Sequence, residues 1–221
     1  MAGYADTLAR VEGYFDRTAT EVWDRLTSDA PVSRIRQTVR EGRDAMRALM
    51  LSRLPADLAG ARILDAGCGT GAMTAELAAR GATVVAVDIA PALIAIAAAR
   101  LPGGLAGRVS FKAGDMLDAA HGAFDHVVAM DSLIYYGEAD LAAALDRLAA
   151  RTSGSVVFTV APRTPALMAM WHAGRLFPRA DRSPVMVPHA HHRLARRRPG
   201  LVRIGRVARG FYISDCLEVR P

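Results

Sequence analysis

Residues 62–71 read RILDAGCGTG: a short apolar run passes directly into glycines at 67, 69 and 71 and then into an alanine-rich helical stretch. A strand that ends in a glycine loop and opens a helix is the context of a nucleotide-binding turn, because glycine permits the tight bend and lets a ligand approach without a Cβ. The texture then repeats. Arg62–Ala66, Thr83–Ile89, Val109–Ala113, His126–Met130 and Ser155–Val160 read as strands, with helices expected over Gly71–Arg80, from Pro91 to Arg100, and over Asp140–Ala150. Alternation at this spacing predicts right-handed crossovers and an α/β, Rossmann-like, doubly wound, mostly parallel sheet. Val202–Val207 and Phe211–Val219, separated by Gly210, add an edge hairpin and bring the sheet to seven strands.

The flanks differ in pattern. Residues 1–55 are expected to form a helical N-terminal arm or lid ahead of the domain at 56–221. In the arm Ile35, Val39, Met46, Leu49 and Met50 mark one buried helical face, with arginines on the others. Between Pro162 and Pro199 the alternation stops, and an apolar helical segment and a Pro-punctuated loop suggest an insertion at 162–199 covering the site. No apolar run reaches the roughly 18 residues of a membrane span, and the N-terminus lacks a secretory apolar stretch. Two cysteines, Cys68 and Cys216, stand far apart, so a cytoplasmic location is expected. The formal charge is +6, with seven arginines and no acid in RLARRRPGLVRIGRVAR, Arg193–Arg209. That patch reads as a solvated helix face and strand edge, or as a surface for an acidic ligand, a membrane or RNA.

The glycine spacing differs from the dinucleotide pattern, and the loop lacks the Lys-Ser/Thr of a phosphate-binding loop. Asp65 places a negative charge inside it, which suits a cationic ligand such as S-adenosylmethionine better than a pyrophosphate. Asp88 closes the second strand, where a carboxylate can accept both ribose hydroxyls of an adenosine. Asp115, or the backbone beside it, can reach the adenine amino group. The cofactor-binding set is therefore Asp65, Gly67, Cys68, Gly69, Thr70, Gly71, Asp88, Ile89, Asp115, Met116, Met130 and Tyr14. Cys68 reads as a small filler rather than a nucleophile. Tyr14, with Phe15 and Trp23, is expected to close over the cofactor or to anchor the arm.

From Ala61 to Val160, DAGCGTG, VDIA and GDM together resemble the class I S-adenosylmethionine-dependent methyltransferases. The Asn-Pro-Pro-Tyr motif of DNA amino methyltransferases is absent, so a small molecule, not nucleic acid, is the expected acceptor. A closer resemblance runs through YFDRTATEVWDRL, VSRIRQTVREGRD, MDSLIYY, VFTVAPRTP, LFPRADRSP and RGFYISDCLE. These segments are similar to the magnesium-protoporphyrin IX O-methyltransferases of chlorophyll and bacteriochlorophyll synthesis. That likeness implies methylation of one propionate of Mg-protoporphyrin IX. It implies catalytic roles for the positions held here by Tyr135 and Thr27, where some members carry His and Tyr. It also suggests handover from the porphyrin-binding subunit of magnesium chelatase, and the arginine patch suggests loose association with the photosynthetic membrane surface.

A porphyrin is a flat apolar disc with two carboxylates on one edge. Asp131, Trp171, Arg163, Arg175 and Arg179 are the expected substrate contacts, with Arg182 a further candidate for a carboxylate clamp. His189, His191 and His192 lack companion ligands at metal spacing, so a surface helix face is expected and no protein metal site. The rival readings are a methyltransferase acting on another small molecule such as a quinone, and a non-catalytic module that binds nucleic acid or membrane.

Overall fold

The computed structural model describes residues 3–14, 33–165, 167–169 and 186–221. Thr27, Trp171, Arg175, Arg179 and Arg182, with Phe15 and Trp23, lie outside the described residues. Two helices, α1 (Tyr4–Tyr14) and α2 (Arg34–Leu51), precede β1 (Arg62–Ala66), α3 (Ala72–Ala79), β2 (Thr83–Asp88), α4 (Pro91–Arg100) and β3 (Val109–Ala113). Then come β4 (Phe124–Ala129), α5 (Glu138–Ala149), β5 (Thr152–Val160), α6 (His191–Arg197), β6 (Val202–Arg209) and β7 (Tyr212–Val219).

The seven strands lie in the order β3-β2-β1-β4-β5-β7-β6. The first five pair in parallel, and β7 pairs antiparallel with both β5 and β6. Strand side chains alternate between two buried faces, which is why the central strands are apolar throughout rather than at every second position. Leu64, Val127, Val156 and Phe158 pack with Leu141, Leu145 and Leu148 of α5 and Leu194 of α6. Ile63, Val84, Val128 and Val157 pack on the other face with Met46 and Met50 of α2 and Met73 and Leu77 of α3.

So the stretch before the first strand divides in two. α2 is a layer of the core, with Met46 and Met50 fully buried, whereas α1 lies over the sheet's carboxyl edge. The expected apolar face of α2 holds from Val39 onward. Ile35 is the exception at 55% exposure, because the sheet ends beneath Thr38, against which the hairpin glycine Gly210 abuts. The hairpin turn is tighter than the expected bounds leave it: β6 runs on to Arg209 and β7 starts at Tyr212, so Gly210 and Phe211 alone make the turn, and Phe211 is 67% exposed. The ends of the 162–199 stretch return to the carboxyl edge, where His189 donates its backbone N–H to Ala161 and Val187 donates to Ile134. His189 is buried, with Nε2 at 3.0 Å from the Tyr136 carbonyl; the expectation of a surface position fails for it because this crossing point is covered, while His192 is exposed.

One close approach seats α2. A Cβ on Gly42 would come within 2.7 Å of Tyr212 Cβ and Cδ1, near enough that the tyrosine would have to move. Replacing Gly42 with Ala gains about 1 kcal/mol of helix propensity but overpacks this contact, at a typical cost of about 1–3 kcal/mol. We expect Gly42→Ala to lower the Tm by a few degrees; an unchanged or raised Tm in thermal denaturation would remove this account of helix seating.

Candidate active site

In an open parallel sheet the ligand crevice forms where the strand order reverses, here between β1 and β4. A cavity of about 300 Å³ occupies that position. Its lining includes Asp65, Gly67, Cys68, Gly69 and Thr70 from the glycine loop, and Asp88 and Ile89 after β2. Gly114 and Met116 line it after β3, and Met130, Asp131, Ser132, Tyr135 and Tyr136 after β4. The two strand ends meet closely: a Cβ on Gly67 would lie 2.2 Å from that of Ser132, whose hydroxyl donates to the Ala66 carbonyl at 2.6 Å. Gly67 has φ +82°, which favours glycine independently. At Gly69, φ +55°, a Cβ would meet nothing within 4 Å, so that residue faces open space along the cavity.

Asp88 braces the loop. Its Oδ2 accepts the Gly69 N–H at 2.8 Å and its Oδ1 accepts the Ala90 N–H at 3.0 Å. Asp65 is almost wholly buried and accepts the Thr74 hydroxyl at 2.6 Å. Burial, with the neighbouring Asp88 charge adding to it against the Thr74 hydrogen bond, pushes the Asp65 carboxyl up to about 7. A buried carboxylate facing a cavity is stabilised by a cation placed beside it. The sulfonium and ammonium of S-adenosylmethionine meet that requirement, and the glycine backbone leaves room for a nucleoside, so these residues fit that cofactor. Burial likewise holds the Cys68 thiol well above its ordinary value, in keeping with a filler.

Four expected residues stand elsewhere. Gly71, φ +84°, backs onto Ala97 of α4, because it caps α3 rather than facing the crevice. The Asp115 carboxylate turns to the arm: its Oδ1 accepts the Tyr4 hydroxyl at 2.6 Å and the Leu117 N–H at 2.8 Å, while its neighbours Gly114 and Met116 line the cavity. Tyr14 packs beside Ile89, Leu93 and Tyr135 in a small apolar cluster at the margin. The Arg163 side chain is exposed, and its backbone N–H is held by the His189 carbonyl.

The arm meets the cavity through residues other than the expected Tyr14. Leu8 and Val11 of α1 line the cavity, and Tyr4 stacks on Tyr136 with ring centroids 4.8 Å apart. Tyr4, Leu8 and Val11 recur at helical spacing, a signal that was present. Arg40, Arg43 and Arg47 of α2 also line the cavity, on a face that looks solvent-facing in sequence. Arg43 Nη1 donates to Asp131 Oδ2 at 2.5 Å. Asp131 Oδ1 accepts the Tyr212 hydroxyl at 3.0 Å and that of Thr159 at 3.2 Å. The Asp131 N–H donates to Thr159 Oγ1 at 2.8 Å, which holds a non-glycine residue at φ +57°.

The elevated Asp65 carboxyl has a measurable consequence. A cationic ligand lowers its pKa, so binding favours the ionised form, is strongest above pH 7 and weakens as pH falls through about 7. Titration calorimetry of S-adenosylmethionine near pH 7, in buffers of different ionisation enthalpy, should show proton release that Asp65→Asn abolishes. A pH-independent affinity with no proton release would refute the role.

Comparison with known proteins accords with this architecture. The family model described as magnesium-protoporphyrin IX methyltransferase C-terminus matches residues 129–221, and a methyltransferase domain model matches 63–153. The chain is 63% identical to a magnesium-protoporphyrin O-methyltransferase of Rhodobacter capsulatus, over 99% of this chain and 98% of that one. A ubiquinone biosynthesis O-methyltransferase of Xanthomonas oryzae is 36% identical, but over 56% of this chain and 54% of its own length. The crystal structure of magnesium protoporphyrin IX methyltransferase from Synechocystis PCC 6803 with bound SAH superposes with a TM-score of 0.80 at 27% identity, covering 96% of this chain and 99% of that one. A second crystal structure of that protein carries bound SAM. Likeness over the arm, the glycine loop, the switch-point cavity and the terminal hairpin alike places this chain in the magnesium-protoporphyrin O-methyltransferase family, on a class I S-adenosylmethionine-dependent methyltransferase fold.

Proposed function

We propose that the chain transfers the methyl group of S-adenosylmethionine to one propionate carboxylate of Mg-protoporphyrin IX, giving the monomethyl ester of (bacterio)chlorophyll biosynthesis. The observation that carries this reading is continuity. Likeness to the magnesium-protoporphyrin enzyme spans arm, sheet and tail, whereas likeness to the quinone enzyme covers little more than half the chain.

When bound, S-adenosylmethionine supplies an electrophilic methyl group on a sulfonium. The acceptor is a carboxylate with an ordinary pKa near about 4.3, already ionised at neutral pH. The chain therefore has no acceptor proton to remove. Burial, with the Asp131 charge adding to it, raises the Tyr135 hydroxyl far above its ordinary value, so Tyr135 serves as a hydrogen-bond donor and not as a base. The Asp131 carboxylate is engaged by Arg43, Tyr212 and Thr159, which suits it to orientation rather than to proton transfer. Leu8, Val11, Leu93, Met116 and Met130 supply apolar lining that excludes water. Positioning and dehydration supply the rate. Tyr135 orients the propionate, and Thr27 stands as the second hydroxyl in that role.

We further infer that the chain is cytoplasmic, associates loosely with the photosynthetic membrane, and receives its porphyrin directly from the porphyrin-binding subunit of magnesium chelatase. A flat apolar disc is poorly soluble, which favours direct handover. β6 and its turn expose Val202 and Phe211 beside Arg203 and Arg209, a pairing of apolar and cationic groups suited to an anionic lipid surface.

The test is incubation with S-adenosylmethionine and either Mg-protoporphyrin IX or the metal-free porphyrin. Ester is expected with the magnesium form; its absence refutes the assignment. At saturating S-adenosylmethionine, Tyr135→Phe should lower kcat/KM about 10-fold, the worth of one hydrogen bond to a charged group, and the rate should stay flat between about pH 6 and 8 because the acceptor is ionised throughout. An unaltered kcat/KM would end the role given to Tyr135. Vesicles containing anionic phospholipid should sediment the chain at low salt and release it at high salt, and Phe211→Ser should weaken retention; no sedimentation at low salt would remove the membrane inference.

A further inference from the structure

The cavity wall contributed by α2 is cationic, with Arg40, Arg43 and Arg47 at spacings of three and four residues on one face. Its one acid, Asp44, pairs with Arg47 at 2.8 Å while half exposed to water, a contact of the kind that contributes little and yields readily. The wall contributed by the ends of β1 and β2 is anionic, with Asp65 and Asp88. A sulfonium accounts for the second wall, and the first calls for an anion. Three guanidiniums on one helix face are a device for binding carboxylate.

Two carboxylate sources compete for them: the amino-acid end of the cofactor and the propionates of the porphyrin. Charge bookkeeping along the reaction separates the porphyrin's two propionates. In the transfer, the carboxylate oxygen forms a bond to the methyl carbon, the S–C bond breaks, and its electron pair stays on sulfur. The negative charge on oxygen and the positive charge on sulfur both disappear, and no proton moves. A guanidinium on the reacting oxygen would stabilise the charged ground state more than the partly neutralised transition state and would slow the step. On the second propionate the charge is constant from start to finish, so the same contact strengthens binding and fixes orientation at no cost to the chemistry.

We infer that Arg40, Arg43 and Arg47 of α2 hold the non-reacting propionate of the porphyrin and thereby select which of its two carboxylates is methylated. The inference rests on the substrate reading above and deepens it. Asp131 aims the middle arginine through its bond to Arg43, and is itself held by Tyr212 and Thr159. The negative charge of Asp131, which would otherwise repel a propionate, is neutralised by the same pair. The clamp so inferred lies on the helix that forms a layer of the core; of the candidates in the insertion, Arg163 is exposed and Arg175, Arg179 and Arg182 lie outside the described residues.

The test uses the full chain with Mg-protoporphyrin IX and S-adenosylmethionine, and compares wild type with Arg40→Met, Arg47→Met, the double variant and Arg43→Lys. Expected is a rise in KM for the porphyrin of about 10- to 100-fold in the double variant, the worth of one charged hydrogen bond or more, with the calorimetric affinity for S-adenosylmethionine unchanged. The product should become a mixture of the two isomeric monoesters, with diester appearing, resolved by chromatography. Arg43→Lys should keep part of the selectivity. That loss of regiochemistry is a readout a merely structural role would not move. If affinity for S-adenosylmethionine falls instead, the arginines bind the cofactor's carboxylate and the inference fails. It fails also if KM and product composition stay as in wild type. A wild-type chain that forms no ester refutes the substrate reading itself, and this inference with it, whereas a wild type that forms one monoester with unaffected variants refutes the clamp alone.

Discussion

Three separate parts of the chain are joined through the carboxylate of Asp131. Arg43 reaches it from α2, Tyr212 from β7 and Thr159 from β5, and Asp131 itself extends β4 at a backbone angle that a non-glycine residue adopts only when held there. The helix before the sheet, the parallel half and the antiparallel hairpin thus converge on one part-buried charge at the cavity wall. An ion pair in such a place is a weak source of net stability, since desolvation offsets attraction, but removing one partner is costly. What the knot supplies is orientation. The catalytic step needs atoms in line and has no proton to move, so orientation is what such a site has to provide.

The cavity has two chemistries because two kinds of scaffold meet there. The glycine loop and the strand ends bring backbone and carboxylates, suited to a cationic nucleoside. The helix before the sheet brings guanidiniums, suited to anions. Cation and anion annihilate each other's charge in the reaction, so neither wall contains a group that must change protonation during turnover. Asp65 is the exception in a different sense: its raised pKa belongs to the free chain, and it couples cofactor capture to pH rather than chemistry to pH.

α2 reaches this position only because glycine lies under it. Gly42 faces Tyr212 with no room for a side chain, Gly210 meets Thr38, and Gly205 meets Leu49. These contacts bring the helix axis near the hairpin, and the guanidiniums on its next face then reach over the ends of β4 and β7. α1 completes the enclosure by a different route, through the hydrogen bond of Tyr4 to Asp115 and the stack of Tyr4 on Tyr136.

Local pattern determined the scaffold. β1 and β3 match their sequence bounds and the other strands fall close to theirs, because buried parallel strands and amphipathic helices are written in runs and periods that a single segment contains. That Asp65, Gly67, Gly69 and Asp88 would meet at one cavity was legible for the same reason: turn, helix start and strand end lie within one contiguous unit. Asp131 and Tyr135 at the end of β4 were legible too, but the arginine wall of α2 was not. Arg43 and Asp131 are separated by 88 residues, and nothing in an Arg-rich helix tells whether its polar face meets water or a cavity. Asp115, or the backbone beside it, reads as a contact for adenine; Gly114 and Met116 line the cavity, while the Asp115 carboxylate meets Tyr4, 111 residues away. Short-range propensity dictates the elements and their order; which charged faces come together depends on how closely those elements pack, and that was settled by glycine contacts at Gly42, Gly205 and Gly210 between segments far apart in the chain.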